Sequence, residues 1–362
     1  MMVNHLPSAL RIVTDQPLGV FSGAEGFVFI SGLLCGWVYT RKLRSGGPEA
    51  LHEACRGRAQ TIYGWHIGAF LGCLILVQAS SQLLGFCSYT SPKLFYTHPV
   101  QAALLGSAML YQPGLLDFLP MYCAFVLALP LVLRALAAGW RWAVLAGSFS
   151  LWLAVQFFPS FNGAVLPPIN VGSFNLFAWQ FLFVSGAVVG NARAGSRAPQ
   201  TPFNPWVAVP ALAVAAAGFG AAHLGWRPAG WSTPFFGIML NKPALGGLRL
   251  ADFACVAYLV AVVGGRFPSL LSWRPLALLG RQSLAVVTGQ TLLVMALLEF
   301  PALFRPGLGN WAATAASIGI LFAIAAVREA TARAAERPQF APVRAGQAFP
   351  LSLASAHDIR AT

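Results

Sequence analysis

Long apolar runs separated by shorter polar or charged segments make up most of the chain. Nine of these runs approach the roughly 20 residues that an α-helix needs to cross the hydrocarbon core of a bilayer. Because backbone groups in lipid must be satisfied within the membrane segment itself, we expect helices and not an open sheet. The pattern predicts an all-α polytopic membrane protein with about nine complete spans, at residues 22–40, 62–84, 118–136, 140–158, 176–190, 206–224, 250–264, 284–298 and 311–327.

Composition supports the membrane class and excludes several others. Hydrophobic residues make up 57% of the chain, charged residues only 9%, and the mean hydropathy is +0.67, whereas ordinary soluble domains carry about 25% charged residues. The net charge of +13 comes from Lys and Arg scattered between apolar runs, so no nucleic-acid partner is expected. The six cysteines show no metal-binding spacing. No phosphate-binding or dinucleotide motif occurs either, so we expect no metal and no tightly bound cofactor.

The distribution of Lys and Arg among the connections predicts the topology. Alternate connections carry most of these residues, namely 41–60, 134–141, 191–200, 265–281 and the segment after 327. They are therefore predicted to be cytoplasmic. We expect a membrane domain at 1–328 and a disordered cytoplasmic tail at 329–362. The opposite face receives longer, aromatic-rich segments at 86–116, 159–175 and 225–249, where a binding cavity is expected.

The first ten residues, MMVNHLPSAL, are apolar but too short to span a membrane. Nine spans with a cytoplasmic C-terminus would place residue 1 outside. We therefore expect a further first helix upstream that is truncated here, with MMVNHL as its end. The alternative is a short exported N-terminus.

Glu25 is an acid near the outer end of the first complete span. An ionisable group at the centre of a membrane helix costs about 2.5–3.5 kcal/mol on insertion scales unless it faces a partner or a wet cavity. Glu25 is therefore a candidate functional residue. The alternative is a structural hydrogen bond between helices.

Six blocks of sequence, in order along the chain, resemble the OpgC family. They are VNHLPSA, GVFSGAEGFVFISGLLCGWVY, YQPGLLDFLPMYCAFVLALP, FNLFAWQFLFVSGAVVG, LNKPALGGLRLADF and LLGRQSLAVVTG. Founding members of that family attach succinyl groups to osmoregulated periplasmic glucans, and the family is related to the type-three membrane acyltransferases. The resemblance implies an acyl-CoA co-substrate, a glycan acceptor and the lipid bilayer as partners, and a location in the inner membrane of a bacterium.

The resemblance also implies roles for individual residues. His5 matches the histidine regarded as catalytic in related acyltransferases, while Glu25 and Asp117 match two acids of the family's motifs. Related enzymes carry an arginine upstream of that histidine, at a position that would precede Met1 in this sequence. This departure leaves open a catalytically inactive, truncated paralogue as an alternative.

Acyl transfer to a hydroxyl requires a base, donors for the oxyanion and positive charge for an anionic donor. His5 is the predicted base and Glu25 its predicted partner, because the two lie on consecutive membrane segments and a carboxylate can orient an imidazole. The predicted substrate-binding residues are Asp117, Trp179, Gln180, Lys242 and Arg249.

Four of these substrate-binding residues also have a structural interpretation. Asp117 could cap the helix that follows it, and Trp179 could be an ordinary interfacial aromatic residue. Lys242 and Arg249 could be surface charges.

A transporter or flippase for a glycan or small anion is the alternative from another functional class. In that case Glu25 and His66 would be proton or substrate sites inside the membrane. Transporters usually contain inverted repeats with interrupted helices, and no convincing internal repeat is visible in the sequence. The sequence therefore favours a membrane acyltransferase that moves a succinyl or other short acyl group to a glycan.

Overall fold

The computed structural model describes residues 2–84, 94, 97–112, 114–158, 171–195 and 201–336, and within those ranges the elements are helical, with no strand. This confirms the predicted all-α class. The elements are α1 (Met2–His5), α2 (Arg11–Thr14), α3 (Gly23–Leu84), α4 (Pro99–Ser107), α5 (Phe118–Ala137), α6 (Arg141–Phe157), α7 (Leu176–Arg193), α8 (Pro205–His223), α9 (Pro234–Met239), α10 (Gly247–Arg266), α11 (Pro268–Leu271), α12 (Arg274–Arg281), α13 (Ser283–Leu298), a 3-10 helix (Pro301–Phe304) and α14 (Leu308–Glu336).

Among the described residues, five helices are long and apolar enough to cross a membrane, namely α3, α5, α8, α10 and α14. The number becomes six if α12 and α13, which are bent by 86° relative to each other, form one broken span. All nine predicted segments are largely helical, but the prediction of nine complete spans is not confirmed. One reason is length, since α6 has 17 residues and α13 has 16, against the roughly 20 needed to cross the hydrocarbon core.

The basic segment 41–60, predicted to be a loop, is mostly helical, and that prediction is corrected. α3 continues through it to Leu84 and is interrupted only at Gly47, whose φ of 73° and ψ of −173° are not helical. Pro48 follows directly and suits the first turn of a new helix, where its missing N–H is not needed. The charged residues therefore lie on the ends of two successive helices.

Two pairs of glycines bring α3 and α7 into backbone contact. Gly32 and Gly36 lie on α3, while Gly186 and Gly190 lie on α7, so each helix carries a Gly-x-x-x-Gly pattern. A Cβ atom at any of these four positions would lie 2.0–2.2 Å from a backbone oxygen of the other helix. Small residues at this spacing allow membrane helices to approach closely. This contact fixes α3, and therefore Glu25, against the core.

The N-terminal segment is docked onto α13 and α14. Met2 and Leu6 are buried in an apolar cluster with side chains of both helices. The hydroxyls of Ser8 and Thr314 are hydrogen bonded at 2.8 Å, and Asn310 both donates to the Pro7 carbonyl and accepts from the Ala9 N–H. These contacts hold His5, at the end of α1, beside the helical bundle.

Several predicted connections are only partly described. α4 lies inside the predicted outer segment 86–116, whereas residues 85–93 and 159–170 lie outside the described residues. α14 continues to Glu336, past the start of the predicted tail at 329–362. Residues 337–362 of that predicted tail lie outside the described residues.

Candidate functional site

Two cavities meet at His5 and Lys242. The first, called here the central cavity, has a volume of about 300 Å³ and reaches Asp117 and Gln290. The second, called the polar cavity, has a volume of about 540 Å³ and reaches Arg249. His5, Ala24 and Lys242 line both cavities. A polar ligand in one cavity and an acyl group in the other would therefore meet at the imidazole.

A third space, called the apolar cavity, joins the central cavity from the opposite direction. Its volume is about 340 Å³, and Phe27, Val287 and Gln290 line both it and the central cavity. It continues to Gly280 and Ser283, beside α12. The three spaces therefore follow one another from α12 through the central cavity to the polar cavity.

His5 is positioned by the buried residues on either side of it, Met2 and Leu6. Its ring is partly buried and makes no hydrogen bond or ion pair to any residue that the structure describes. Burial is the main cause that lowers the pKa of His5 to about 4, and the positive charges of Lys242 and Arg11 lower it further. The imidazole is therefore neutral at pH 7, which is the form that can accept a proton.

Lys242 is held at the cavity wall through its backbone. The indole Nε1 of Trp179 donates to the carbonyls of Lys242 and Pro243, at 3.2 and 3.1 Å. The backbone N–H of Asn175 also donates to Pro243, and the Nε1 of Trp152 donates to the Leu245 carbonyl at 2.8 Å. The backbone of Lys242 is thereby fixed at the junction of the two cavities.

Asp117 lines the central cavity at the start of α5. Its side chain does not cap that helix, contrary to the structural alternative considered from the sequence. Instead its Oδ2 accepts a hydrogen bond of 2.9 Å from the backbone N–H of Ser173. Gly172 allows this approach, because it has a φ of 100° and its Cβ would lie 2.1 Å from the Asp117 Cβ. Burial raises the pKa of the Asp117 carboxyl.

Glu25 is completely buried and is paired with Arg249. Its Oε1 accepts from the Nε of Arg249 at 2.9 Å and also from Nη2. Its Oε2 accepts from the backbone N–H and the hydroxyl of Ser22, at 3.0 and 2.8 Å. The structure joins Glu25 to Arg249 and Ser22, and no hydrogen bond connects it with His5 within the described part of the chain. Arg249 lines the polar cavity beside His5.

Two of the predicted substrate-binding residues lie away from both cavities. Trp179 is fully buried, with its ring 4.7 Å from that of Phe174, and it supports the Lys242 backbone as described above. Gln180 joins α7 to α6, since it accepts from the Ser148 hydroxyl at 2.6 Å and donates to the Ser148 carbonyl at 2.7 Å. Neither side chain lines the central or the polar cavity.

His66, the second candidate of the transport alternative, lies on α3 after the break at Gly47, whereas Glu25 lies before it. Its ring is fully buried and stacks on Phe70, with 6.1 Å between the ring centroids. Its Nε2 is 3.0 Å from the carbonyl oxygen of Gly106. His66 lines none of the three cavities described above.

Gln290 was not identified from the sequence as a site residue. It is 9% exposed, lines both the central and the apolar cavities, and its carboxamide makes no hydrogen bond to any residue within the described ranges. The signal available in the sequence was the position of Gln290, a polar residue within the apolar run 284–298. The amide N–H group is a donor suited to a carbonyl oxygen in the central cavity.

No group of three or more His, Cys, Asp or Glu side chains among the described residues is arranged to hold a metal ion. The polar and charged side chains that line the central and polar cavities together are Asn4, His5, Arg11, Thr14, Asp15, Gln16, Ser22, Asp117, Ser173, Lys242, Arg249 and Gln290. These groups can exchange a proton, stabilise negative charge and bind hydroxyls, which is the chemistry needed to transfer an acyl group to an alcohol.

Comparison with known proteins places the chain in a family. A family model described as OpgC protein matches residues 1–334. No curated protein and no solved structure matches the chain. The family match covers the described helices almost to the end of α14, including every site residue discussed above. The chain therefore belongs to the OpgC family, whose members are in general glucan-modifying acyltransferases of the membrane.

Proposed function

We propose that this protein transfers a succinyl or another short acyl group from acyl-CoA to a hydroxyl of a periplasmic glucan or another glycan. It acts in the inner membrane of a bacterium, with the C-terminus in the cytoplasm. The observation that carries this proposal is the meeting of the central and polar cavities at His5, an imidazole with no hydrogen-bond partner among the described residues.

His5 is the general base of the proposed reaction. Because its pKa is lowered to about 4, the ring is neutral at pH 7 and can take the proton of the acceptor hydroxyl. The acceptor oxygen then attacks the thioester carbonyl, so that a carbon–oxygen bond forms and the carbon–sulfur bond breaks. The departing thiolate takes the proton from His5, which restores the neutral imidazole and leaves an ester and free CoA.

Lys242 and Gln290 are the groups proposed to hold the acyl donor. Both line the central cavity together with His5. The ammonium group of Lys242 can bind the free carboxylate of a succinyl group, and the amide N–H of Gln290 can stabilise the oxyanion that forms during attack. Asp117, bonded to the Ser173 backbone, closes the other side of the same cavity.

The donor would reach His5 through the apolar cavity, which extends from Gly280 and Ser283 to Gln290. The acceptor would reach it from the polar cavity on the other side, where Arg249 and Asn4 supply hydrogen-bond donors. This arrangement supports transfer from a cytoplasmic donor to an outward acceptor, because each substrate has its own cavity: the polar cavity is lined by His5, and the apolar cavity connects to His5 through the central cavity.

The proposal is tested by complementation of a bacterial host that lacks its own glucan acyltransferase. We expect the unaltered protein to restore acyl esters on periplasmic glucans or on lipid-attached glycans, as read by mass spectrometry of both fractions. His5→Ala should lower esterification by at least about 100-fold, the smaller end of the usual contribution of a general base. His52→Gln is the matched control, since His52 is exposed on α3 away from the cavities, and it should retain full activity. If neither periplasmic glucans nor lipid-attached glycans carry acyl esters in cells that contain the correctly inserted protein, the proposal is contradicted and the transport alternative is favoured.

A further inference from the structure

A fourth space, called here the lateral groove, runs between α3 and α10. It has a volume of about 740 Å³ and is the largest of the cavities described in this protein. Its walls are mainly apolar and include Phe29 and Leu33 from α3 and Phe253 from α10. Small residues, among them Gly26 and Ala257, leave the space between the two helices unfilled.

The lateral groove opens toward lipid. Both of its walls belong to helices that are long and apolar enough to cross a membrane. Ile30 on one wall is 55% exposed, and Val260 on the other is 42% exposed. In a bilayer these two side chains face hydrocarbon, so a hydrocarbon chain can move into the groove sideways without crossing water.

The length of the lateral groove fits one hydrocarbon chain. Gly23 to Leu33 on α3 covers about 15 Å at 1.5 Å per residue, and Phe253 to Gly264 on α10 covers about 17 Å. One leaflet occupies about 15 Å, half of the roughly 30 Å hydrocarbon core of a bilayer. These two helical walls thus cover about the depth of one leaflet, and Arg193, Thr201 and Leu271 line the groove beyond them.

At one end the lateral groove joins the polar cavity, because Pro17, Ser22 and Gly23 line both spaces. The polar cavity leads directly to His5 and Lys242. A molecule with a hydrocarbon chain in the groove would therefore place its polar head beside the imidazole. A wholly water-soluble acceptor would use the polar cavity but would leave the groove to membrane lipid.

We infer that the acceptor is a lipid-attached glycan, whose hydrocarbon chain lies in the lateral groove while its sugar hydroxyl lies beside His5 in the polar cavity. This inference rests on the proposed acyltransferase function and specifies the class of its acceptor. Anchoring the chain orders the sugar before reaction, and the binding free energy of a non-reacting part of the substrate then contributes to the rate. A larger side chain at Ala257 or Ala261 on α10 would obstruct the hydrocarbon chain in the lateral groove.

The test uses purified protein in phosphatidylcholine vesicles, a short-chain acyl-CoA, and methyl, octyl and dodecyl β-glucoside as acceptors. The parent protein should show at least a ten-fold higher kcat/KM for dodecyl than for methyl glucoside. Ala257→Phe should abolish this gain while retaining the rate with methyl glucoside. Ala213→Phe on α8 is the matched control, since Ala213 is exposed on another membrane-length helix, and it should behave like the parent. Partition of each glucoside into the vesicles is the same for all three proteins, so the comparison isolates the groove.

The outcomes separate the two proposals. Equal kcat/KM values for the three glucosides with the parent protein would overturn the lipid-attached acceptor and leave the acyltransferase function standing. A higher kcat/KM for dodecyl glucoside that is retained in Ala257→Phe would have the same consequence. Failure to acylate any acceptor would instead count against the acyltransferase function. In that case a binding measurement tests whether the hydrocarbon chain binds in the lateral groove. Labelled dodecyl glucoside should bind at least ten-fold more weakly to Ala257→Phe than to the Ala213→Phe control, and equal binding would overturn the inference.

Discussion

The carboxylate of Glu25 is paired with the guanidinium of Arg249, although the two residues are 224 positions apart in the sequence. The pair joins the start of α3 to the start of α10 and is almost completely buried, with side-chain exposures of 0% and 4%. Ser22 supplies two further hydrogen bonds to Glu25. The ion pair therefore fixes the wall between the polar cavity and the lateral groove.

Removal of either partner of this pair should destabilise the protein strongly. Glu25→Gln leaves the buried Arg249 charge uncompensated, and such changes cost about 3–5 kcal/mol. The double variant Glu25→Gln/Arg249→Met removes both charges and should lose less stability than the sum of the two single variants. Thermal unfolding of the detergent-solubilised proteins measures this difference. Additive losses would show that the two side chains do not interact energetically.

The pH dependence of activity should report the lowered pKa of His5. Because this pKa is about 4, compared with 6.5 for an unperturbed histidine, kcat/KM should stay nearly constant from pH 8 to about pH 5.5 and fall only as the imidazole becomes protonated near pH 4. The same shift lowers stability as pH falls from about 6.5 toward 4, since the unfolded chain binds a proton that the folded chain does not.

In the Lys242→Met variant, the fall of kcat/KM at low pH should occur at a higher pH than in the parent. The variant removes a positive charge that lowers the pKa of His5, so the imidazole should become protonated at a higher pH. Burial, the larger cause, remains, and the shift should therefore be partial. Arg227→Gln changes the charge of the same outer segment at a residue that lines neither the central nor the polar cavity, and its profile should match that of the parent. Identical pH profiles for the parent and Lys242→Met would show that the charge of Lys242 does not lower the pKa of His5.

The glycine contact between α3 and α7 should tolerate no added methyl group. Gly186→Ala would place a Cβ atom 2.1 Å from the Phe29 carbonyl oxygen, and overpacking of this kind costs about 1–3 kcal/mol or more. The control is Gly147→Ala on α6, where an added Cβ atom would have no described neighbour within 4 Å outside its own helix. Melting temperatures should fall for the first variant and stay unchanged or rise for the second. Equal melting temperatures would show that the two helices can move apart without loss of stability.

Trp179→Phe should alter substrate binding without direct contact with substrate. The change keeps an aromatic ring against Phe174 but removes the hydrogen bonds from Nε1 to the carbonyls of Lys242 and Pro243. Each lost hydrogen bond contributes about 1 kcal/mol, and the Lys242 backbone loses a fixed position. We expect a higher KM for the acyl donor with a smaller change in kcat.

Trp206→Phe is the control for this variant, because Trp206 is largely exposed on α8. It should leave both kinetic constants unchanged. If Trp179→Phe also leaves kcat and KM unchanged, the indole does not position Lys242.

The helical class and the positions of the apolar segments followed from the sequence because both depend on local patterns. A run of apolar residues must form a helix in lipid wherever it lies in the fold. The break in α3 was not predicted in detail, since the basic residues around Gly47 resemble a loop in composition. These basic residues are nevertheless helical on both sides of a single break in the helix, at Gly47 and Pro48.

The candidate site was predicted less completely. His5, Lys242 and Asp117 line a common cavity, whereas the sequence indicated them separately, His5 and Asp117 through the family resemblance and Lys242 through its charge. Gln290 was missed because one amide in an apolar run carries no periodic signal, and only packing shows that it faces the cavity. The hydrogen bonds of Trp179 and Gln180 likewise depend on which helices are neighbours.

The sequence by itself determined the membrane class, the helical segments, the family and the residue types available for acyl transfer, because hydropathy and motif order are properties of the chain alone. Only the tertiary structure decided that Glu25 pairs with Arg249, that Trp179 supports the Lys242 backbone, and that the central and polar cavities meet at His5. The physical reason is that these relationships join residues far apart in sequence. Their distances are set by the close packing of helices such as α3 and α7, for which local pattern contains no information.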